Sequence, residues 1–345
     1  MKGFILGTKP NGKRDIKITP YSVSHIESIN GRLFFYSDYL AHFSGSIKYR
    51  DYLDIPCGKC LACRLDKARD WATRIMLENS ECDESCFITL TYDDVHVPRT
   101  CYAEPVNGEV VGDAYTLSKR DLQLFLKRLR KYLSGLDGSP SIKFFACGEY
   151  GDTTARPHYH VIILGWKPDD LEFWSMRDGN AYYLSETVER LWSRAGSKIG
   201  NCIIGDVSME SAGYVARYTT KKLYGDDAYL YDACNLTPPF LTMSLRPALG
   251  YSFFIDNLEK IFSDGAIFLT TASGGKRVPI PRYAYKLLER NNPDLYADVI
   301  ARGLRNSELR KTNFKRLTKM PYPVILHNKL ASLECRSKVL VRNKI

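Results

Sequence analysis

Two histidines one residue apart, His158 and His160, lie in the stretch Arg156-Pro-His-Tyr-His-Val-Ile-Ile-Leu-Gly165, and the chemistry open to this chain grows from them. The apolar run Val161 to Leu164, closed by Gly165, reads as a short buried strand whose pleat extends back through both histidines. Side chains alternate across a strand, so the two imidazoles share one face, ~7 Å apart, and Tyr159 points to the other. Imidazoles so placed can both reach a single ion. Alone, such a pair is more often two ordinary core or surface residues, and its neighbourhood raises its standing. A second apolar strand, Ile142 to Cys147, leads into Gly148-Glu149-Tyr150-Gly151. Pairing of the two strands through the turn at Gly151 to Ala155 puts Glu149 beside the histidines as third ligand. Two imidazoles and one carboxylate with open positions suit a catalytic divalent cation, Mg²⁺ or Mn²⁺.

Further on, Tyr214 and Tyr218 stand four apart, and Lys221 and Lys222 follow seven and eight residues after Tyr214, so on a helix all share roughly one face. Tyrosines at helical spacing are usually core. Here their company matters: a phenol, with a pKa of about 10, is a poor nucleophile until charge on its target is neutralised. A metal ion on a phosphate and a nearby ammonium do that. Histidines and a carboxylate for the metal, tyrosines for attack and lysines for charge are the parts for transesterifying a phosphodiester.

The elements that must position these groups are legible from pattern. Cys86 to Tyr92 is a strand by β-branched and aromatic content. Ser118 caps a helix that runs to about Tyr132 with Leu122, Phe125, Leu126 and Leu129 on one face. Then come the strand at Ile142, the histidine strand, a helical stretch from Ser185 to Arg194 and a strand at Asn201 to Val207. The expected class is α+β: a β-α-β-β-α-β, ferredoxin-like or RRM-like antiparallel sheet with helices on one face, an open face for the site and the tyrosine helix following. Three regions are expected: 1–85 with a cysteine cluster and a basic helix, 86–225 as the catalytic domain, and 226–345 with a basic tail.

At 345 residues and 44% hydrophobic content the chain can bury a sizeable core. No stretch is long and apolar enough for a membrane span, and Met1 to Arg14 lacks a signal-peptide core, which points to the cytoplasm. The net charge of +10 sits in the tail: Arg302 to Lys344 carries twelve Lys or Arg against Glu308 and Glu334, while the rest balances at 37 of each sign. Such a segment fits phosphate contact, with nucleic acid the commonest partner and a solvated disordered tail the alternative. The helix Arg64 to Glu78 offers Arg64, Lys67 and Arg74 for phosphate, and the helix at Ser118 offers Lys127, Arg128, Arg130 and Lys131. Arg282 to Arg290 reads as another helix, after Pro281. Among ten cysteines, Cys57-x-x-Cys60-x-x-Cys63 can hold a structural Zn²⁺ or part of an iron–sulfur cluster. A fourth ligand is missing nearby; Cys82 and Cys86 are candidates, and three reduced thiols without metal are the plainer reading. Gly274-Gly275-Lys276 lacks the spacing and hydroxyl of a phosphate-binding loop.

Phe87-Ile-Thr-Leu-Thr-Tyr92, Arg156-Pro-His-Tyr-His160 and Tyr214-Val-Ala-Arg-Tyr218 with Lys221-Lys222 together resemble the motifs of the HUH endonuclease superfamily. More closely they resemble the rolling-circle replication initiators of small single-stranded DNA phages of the microvirus group, gokushovirus type. Pro56-Cys57-Gly-Lys-Cys60-x-x-Cys63-Arg64 and Ser244-Leu-Arg-Pro-Ala-Leu-Gly250 extend the likeness over roughly residues 56 to 255, with Pro247-Ala248 where that group has Pro-Gly. The resemblance implies an enzyme that nicks the phage origin strand through one tyrosine, leaving a 5′-phosphotyrosine and a 3′-OH for the host polymerase. The second tyrosine then cuts the regenerated origin, and resealing releases a circle without ATP. Implied partners are origin DNA, host helicase and polymerase, and phage capsid or packaging proteins. Competing readings are a single-tyrosine relaxase or transposase, a non-catalytic zinc- and DNA-binding scaffold, and a hydrolytic metalloenzyme for small substrates.

Overall fold

A computed structural model of the chain describes residues 1–9, 14–37, 45–103, 110–177, 179–217, 228–271, 274–320 and 322–340. It divides into two compact units, Met1–Cys63 with Thr318–Lys344, and Arg64–Leu317. The first unit holds two three-stranded antiparallel sheets, one ordered Arg14–Thr19, Lys2–Thr8, Tyr52–Asp54 and the other Arg32–Tyr36, His25–Ile29, Ile47–Tyr49, and the helix Tyr322–Leu340.

The second unit carries the candidate site. Its elements are, in order, the helix α1 (Leu61–Asn79, which starts at the unit boundary), β1 (Ser85–Thr91), α2 (Lys119–Leu133), β2 (Lys143–Tyr150), β3 (Pro157–Leu164), β4 (Glu172–Arg177), β5 (Asn180–Leu184), α3 (Glu186–Leu191), β6 (Cys202–Gly205), α4 (Met209–Arg217) and β7 (Phe240–Met243). Helices Tyr251–Asp264, Arg282–Asn291 and Pro293–Leu317 follow. Among the described residues one sheet orders seven strands β4-β5-β6-β1-β3-β2-β7, every neighbouring pair antiparallel. The fold is mixed α and β.

Strand period two sorts the sheet's side chains into two cores. Ile88, Leu90, Tyr159, Val161 and Ile163 face α2 and α3, where they meet Leu122, Phe125, Leu129, Val188 and Trp192. Phe87, Phe145, Cys147, Ile162 and Leu164 face the other way, against Ala68, Ala72 and Ile75 of α1 and Ala212, Val215 and Ala216 of α4. Both helices of the first layer start where a serine can cap them: Ser118 Oγ accepts from Asp121 N at 3.2 Å and Ser185 Oγ from Val188 N at 3.1 Å.

Several expectations are corrected here. The second face is not open, because the small residues of α1 and α4 let those helices close over half of it. Residues 99–115, read as a loop, contain an antiparallel hairpin, Arg99–Ala103 with Val110–Tyr115. The hairpin β4–β5, for which no element was expected, widens the sheet beyond β6. Arg74 is not available for phosphate: buried, its guanidinium lies between Trp71 and Tyr283 at 4.2 and 4.3 Å, and its Nε donates to the Leu249 carbonyl at 3.1 Å. Arg128 likewise donates Nε to the Leu191 carbonyl at 2.8 Å and ties α2 to α3. Much of the basic tail is helical, within Pro293–Leu317 and Tyr322–Leu340, with Arg302, Arg305 and Arg310 exposed. The helix after Pro281 forms as expected.

Tyr159 anchors the histidine strand from behind. Its buried hydroxyl donates to the Ser118 carbonyl at 2.9 Å, accepts from Ser118 N at 2.8 Å and lies 3.0 Å from the Tyr92 hydroxyl, which itself donates to Asp121 at 2.8 Å. Tyr159→Phe strands these groups away from water and should lower unfolding free energy by about 1–3 kcal/mol, read as a reduced urea midpoint at unchanged slope.

Candidate metal centre and groove

The register of β2 against β3 pairs Glu149 with His158 and Cys147 with His160, so the carboxylate and both imidazoles emerge on one face of adjacent strands. Glu149 Oε1 lies 2.8 Å from His158 Nε2 and 3.2 Å from His160 Nε2. Ligand atoms of the three residues all lie within 4.8 Å of one another. Glu149 and His160 are buried at 2% exposure, while His158 keeps a fifth of its side chain open at 20%. Burial works to raise the Glu149 pKa, but hydrogen bonds and positive potential from the two histidines outweigh it and bring it down to about 2. The carboxylate is therefore an anion at any working pH.

The outer ring nitrogens are held too. His158 Nδ1 sits 3.1 Å from the Arg156 carbonyl, which can only accept, so Nδ1 carries the proton and Nε2 is the atom that can bind a cation. His160 Nδ1 meets Thr89 Oγ1 on β1 at 3.1 Å, and its ring stacks on Phe87 with centroids 5.6 Å apart. Two imidazole nitrogens turned to one carboxylate oxygen, with second partners fixing both rings, fit a divalent cation with open positions.

Tyr214, on α4, reaches this centre: its ring meets His160 edge to face, centroids 5.2 Å apart. Tyr218, Lys221 and Lys222 lie outside the described residues. A groove of ≈ 340 Å³ opens over the centre, lined by His158, His160, Thr89, Thr91, Arg156, Tyr214, Ile203 and, from the unexpected hairpin, Trp174, Arg177 and Tyr182. The register slips at Trp174, between Phe173 and Ser175, and such a bulge re-aims a side chain. Arg177 lies over the half-exposed Trp174 ring at 4.9 Å. Arg156 donates to the Tyr92 carbonyl at 2.9 Å and pairs with Asp94, which pins its charge at the groove's rim. A larger hollow, ≈ 440 Å³, lies on the opposite face between α2, β2 and β7 and contains none of the candidate groups.

Trp174, Arg177 and Tyr182 escaped the sequence reading, although Asp178-Gly179 between two aromatic runs is a hairpin signal, and Gly179 takes φ +78 there. Thr89 escaped as a positioning residue; its place two residues before Thr91 on a strand was the available sign. In the first unit Cys57, Cys60 and Cys63 come together, again with ligand atoms within 4.8 Å. Cys86 is wholly buried among the residues facing α2 and α3, and no metal-ligating group among the described residues includes Cys82.

With this geometry in view, residues 85–223 match the family model for the replication-associated protein ORF2. The chain belongs to the family of phage replication-associated proteins. It is 34% identical over 265 residues to replication-associated protein ORF2 of Spiroplasma virus 4, covering 76% of each chain. It is 35% identical over 259 residues to replication-associated protein VP4 of Bdellovibrio phage phiMH2K, covering 74% of each. Replication-associated protein ORF4 of Chlamydia phage 1 is 30% identical over 242 residues, 68% of this chain and 54% of that one. No solved structure matches. Among the described residues no helix is long and apolar enough to cross a membrane.

Calorimetry with Mn²⁺ should show binding in the wild type that Glu149→Gln, His158→Ala and His160→Ala each weaken by at least about tenfold, and Thr89→Val by about tenfold through the freed His160 ring. Affinity indifferent to all four would remove the metal centre.

Proposed function

We propose that the protein is a replication initiation endonuclease of the HUH type, which nicks a phage origin strand by tyrosine attack and later rejoins the ends to release circular single-stranded DNA. The observation that carries this reading is the convergence of Glu149, His158 and His160 with the Tyr214 ring 5.2 Å from His160. The family assignment supports it, as do the names of the relatives as replication-associated proteins. We read β1-α2-β2-β3-α3-β6 as the split βαβ core, in favour of which stand the strand order β6-β1-β3-β2 and the packing of α2 and α3 on one face. The nuclease domain is taken as 86–225.

A Mg²⁺ or Mn²⁺ ion held by His158, His160 and Glu149 supplies Lewis-acid polarisation of a phosphoryl oxygen. The chain's own groups do the rest. The hydroxyl of Tyr214, or of Tyr218 in the alternate cut, gives its proton to solvent and attacks phosphorus. The Oη–P bond forms as the P–O3′ bond breaks, and the departing 3′ oxygen takes up a proton. The 5′ phosphate stays on tyrosine, so bond energy is conserved for joining, when a 3′-OH attacks that phosphotyrosine and the phenol is restored. Lys221 or Lys222 offsets the charge that builds on the phosphate.

The substrate strand lies along the groove, with bases stacking on Trp174 and phosphates meeting Arg156 and Arg177. Acting in the bacterial cytoplasm on the phage origin, the protein relies on the host helicase and polymerase, and phage capsid or packaging proteins take up the product.

In a cleavage assay on labelled single-stranded origin DNA with Mn²⁺, Glu149→Gln and His158→Ala should slow nicking by at least about a hundredfold. Binding that persists without any cleavage in the wild type would favour the scaffold reading. Trp174→Ala should weaken single-strand binding by about 1–3 kcal/mol, whereas Phe173→Ala, on the sheet's other face, should not; equal losses would take the strand out of the groove.

A further inference from the structure

The nicking chemistry does not use the thiols of Cys57, Cys60 and Cys63. Their spacing puts Cys57 in a loop and Cys60 and Cys63 one turn apart where α1 starts at Leu61. Gly58, at φ +75, turns the loop back on itself, a conformation other residues adopt only with strain. The backbone N–H of Cys60 then donates to Cys57 Sγ at 3.2 Å. Such N–H donors stabilise a thiolate before any cation arrives.

The sulfur spacing discriminates among uses. Cys57 Sγ and Cys63 Sγ are 3.9 Å apart, and all three sulfurs lie within 4.8 Å of one another. A disulfide would bring two of them to about 2.05 Å, and all three are free thiols. Tetrahedral zinc, with Zn–S of about 2.3 Å, sets its sulfurs about 3.8 Å apart. The spacing found is that of a thiolate metal site and nearly twice that of a disulfide. Among the described residues of this unit no other Cys, His, Asp or Glu joins the three, and each thiol is half-buried, so a fourth ligand can come from solvent.

We infer that Cys57, Cys60 and Cys63 form a three-thiolate site for a thiophilic divalent cation, Zn²⁺ first, with a fourth coordination position filled by water. Three thiolates and a +2 ion leave one net negative charge among the basic residues Lys59 and Arg64 of the same segment. A closed structural zinc site has four protein ligands; a site with three exchanges its metal and its fourth ligand more readily.

The test is made on the full chain, stripped with chelator under reducing conditions and titrated with Zn²⁺ alone, reading the alkylation of each cysteine by peptide mapping. Zn²⁺ should slow alkylation of Cys57, Cys60 and Cys63 together by at least about tenfold, and chelator should reverse it, while exposed Cys101 stays unprotected. X-ray absorption of the zinc form of a His158→Ala, His160→Ala chain should count three sulfurs at about 2.3 Å and one lighter atom. Cys57→Ser, Cys60→Ser and Cys63→Ser should each weaken zinc by at least about tenfold. Alkylation unchanged by zinc would overturn the site, as would iron in place of zinc in the purified protein; four sulfurs around zinc would overturn the open position. Because the alkylation readout uses the wild type, it stands even if a serine variant does not fold.

Discussion

The bridge from Glu149 Oε1 to both His158 and His160 is the interaction on which the site depends. It exists only because Glu149 stands opposite His158 across an antiparallel ladder. A slip of one residue in that pairing would turn the carboxylate to the far face and leave two imidazoles on a buried surface with no anion between them. The two faces of β3 guard the register jointly. Tyr159 is tied on one side to Ser118 and Tyr92, and His160 is held on the other by Thr89 and Phe87.

The cost of burying a carboxylate is met by the same histidines that make it useful. Burial alone would push Glu149 toward protonation; two flanking rings reverse that and keep a ready anion under a half-covered His158. The groove above inherits its direction from the sheet. On the histidine side the ladder continues through Thr89 and Ile203 to Tyr182, and the bulge in β4 brings Trp174 to the same surface. A strand reading outward from the metal centre would therefore meet aromatic and cationic groups in succession.

Much of this was legible from sequence where one local rule decided it. The period of two through His158-Tyr159-His160 fixed which residues share a face, Ser118 and Ser185 marked helix starts by hydroxyl capping, and Gly148 to Ala155 marked the turn that brings Glu149 back. Rules of longer range failed. Nothing local says that Arg74 will be buried between Trp71 and Tyr283, because Tyr283 is over two hundred residues away and is brought there by the fold. The hairpin 172–184 was missed because its outward faces are aromatic, which masks the apolar-polar alternation of a surface strand. The shared face of Tyr214 and the lysines stays a sequence argument, since Tyr218, Lys221 and Lys222 lie outside the described residues.

The most direct test of the central claim is covalent capture. Wild type, Tyr214→Phe, Tyr218→Phe and the double variant are incubated with end-labelled single-stranded origin DNA and Mn²⁺, run under denaturing conditions, and the adduct is mapped by mass spectrometry. The account predicts a metal-dependent adduct that survives either single change and vanishes in the double, with 5′ phosphate on Tyr214 or Tyr218. No adduct from wild type on any origin fragment it binds would contradict it, and loss of the adduct in one single variant alone would reduce the mechanism to a single tyrosine.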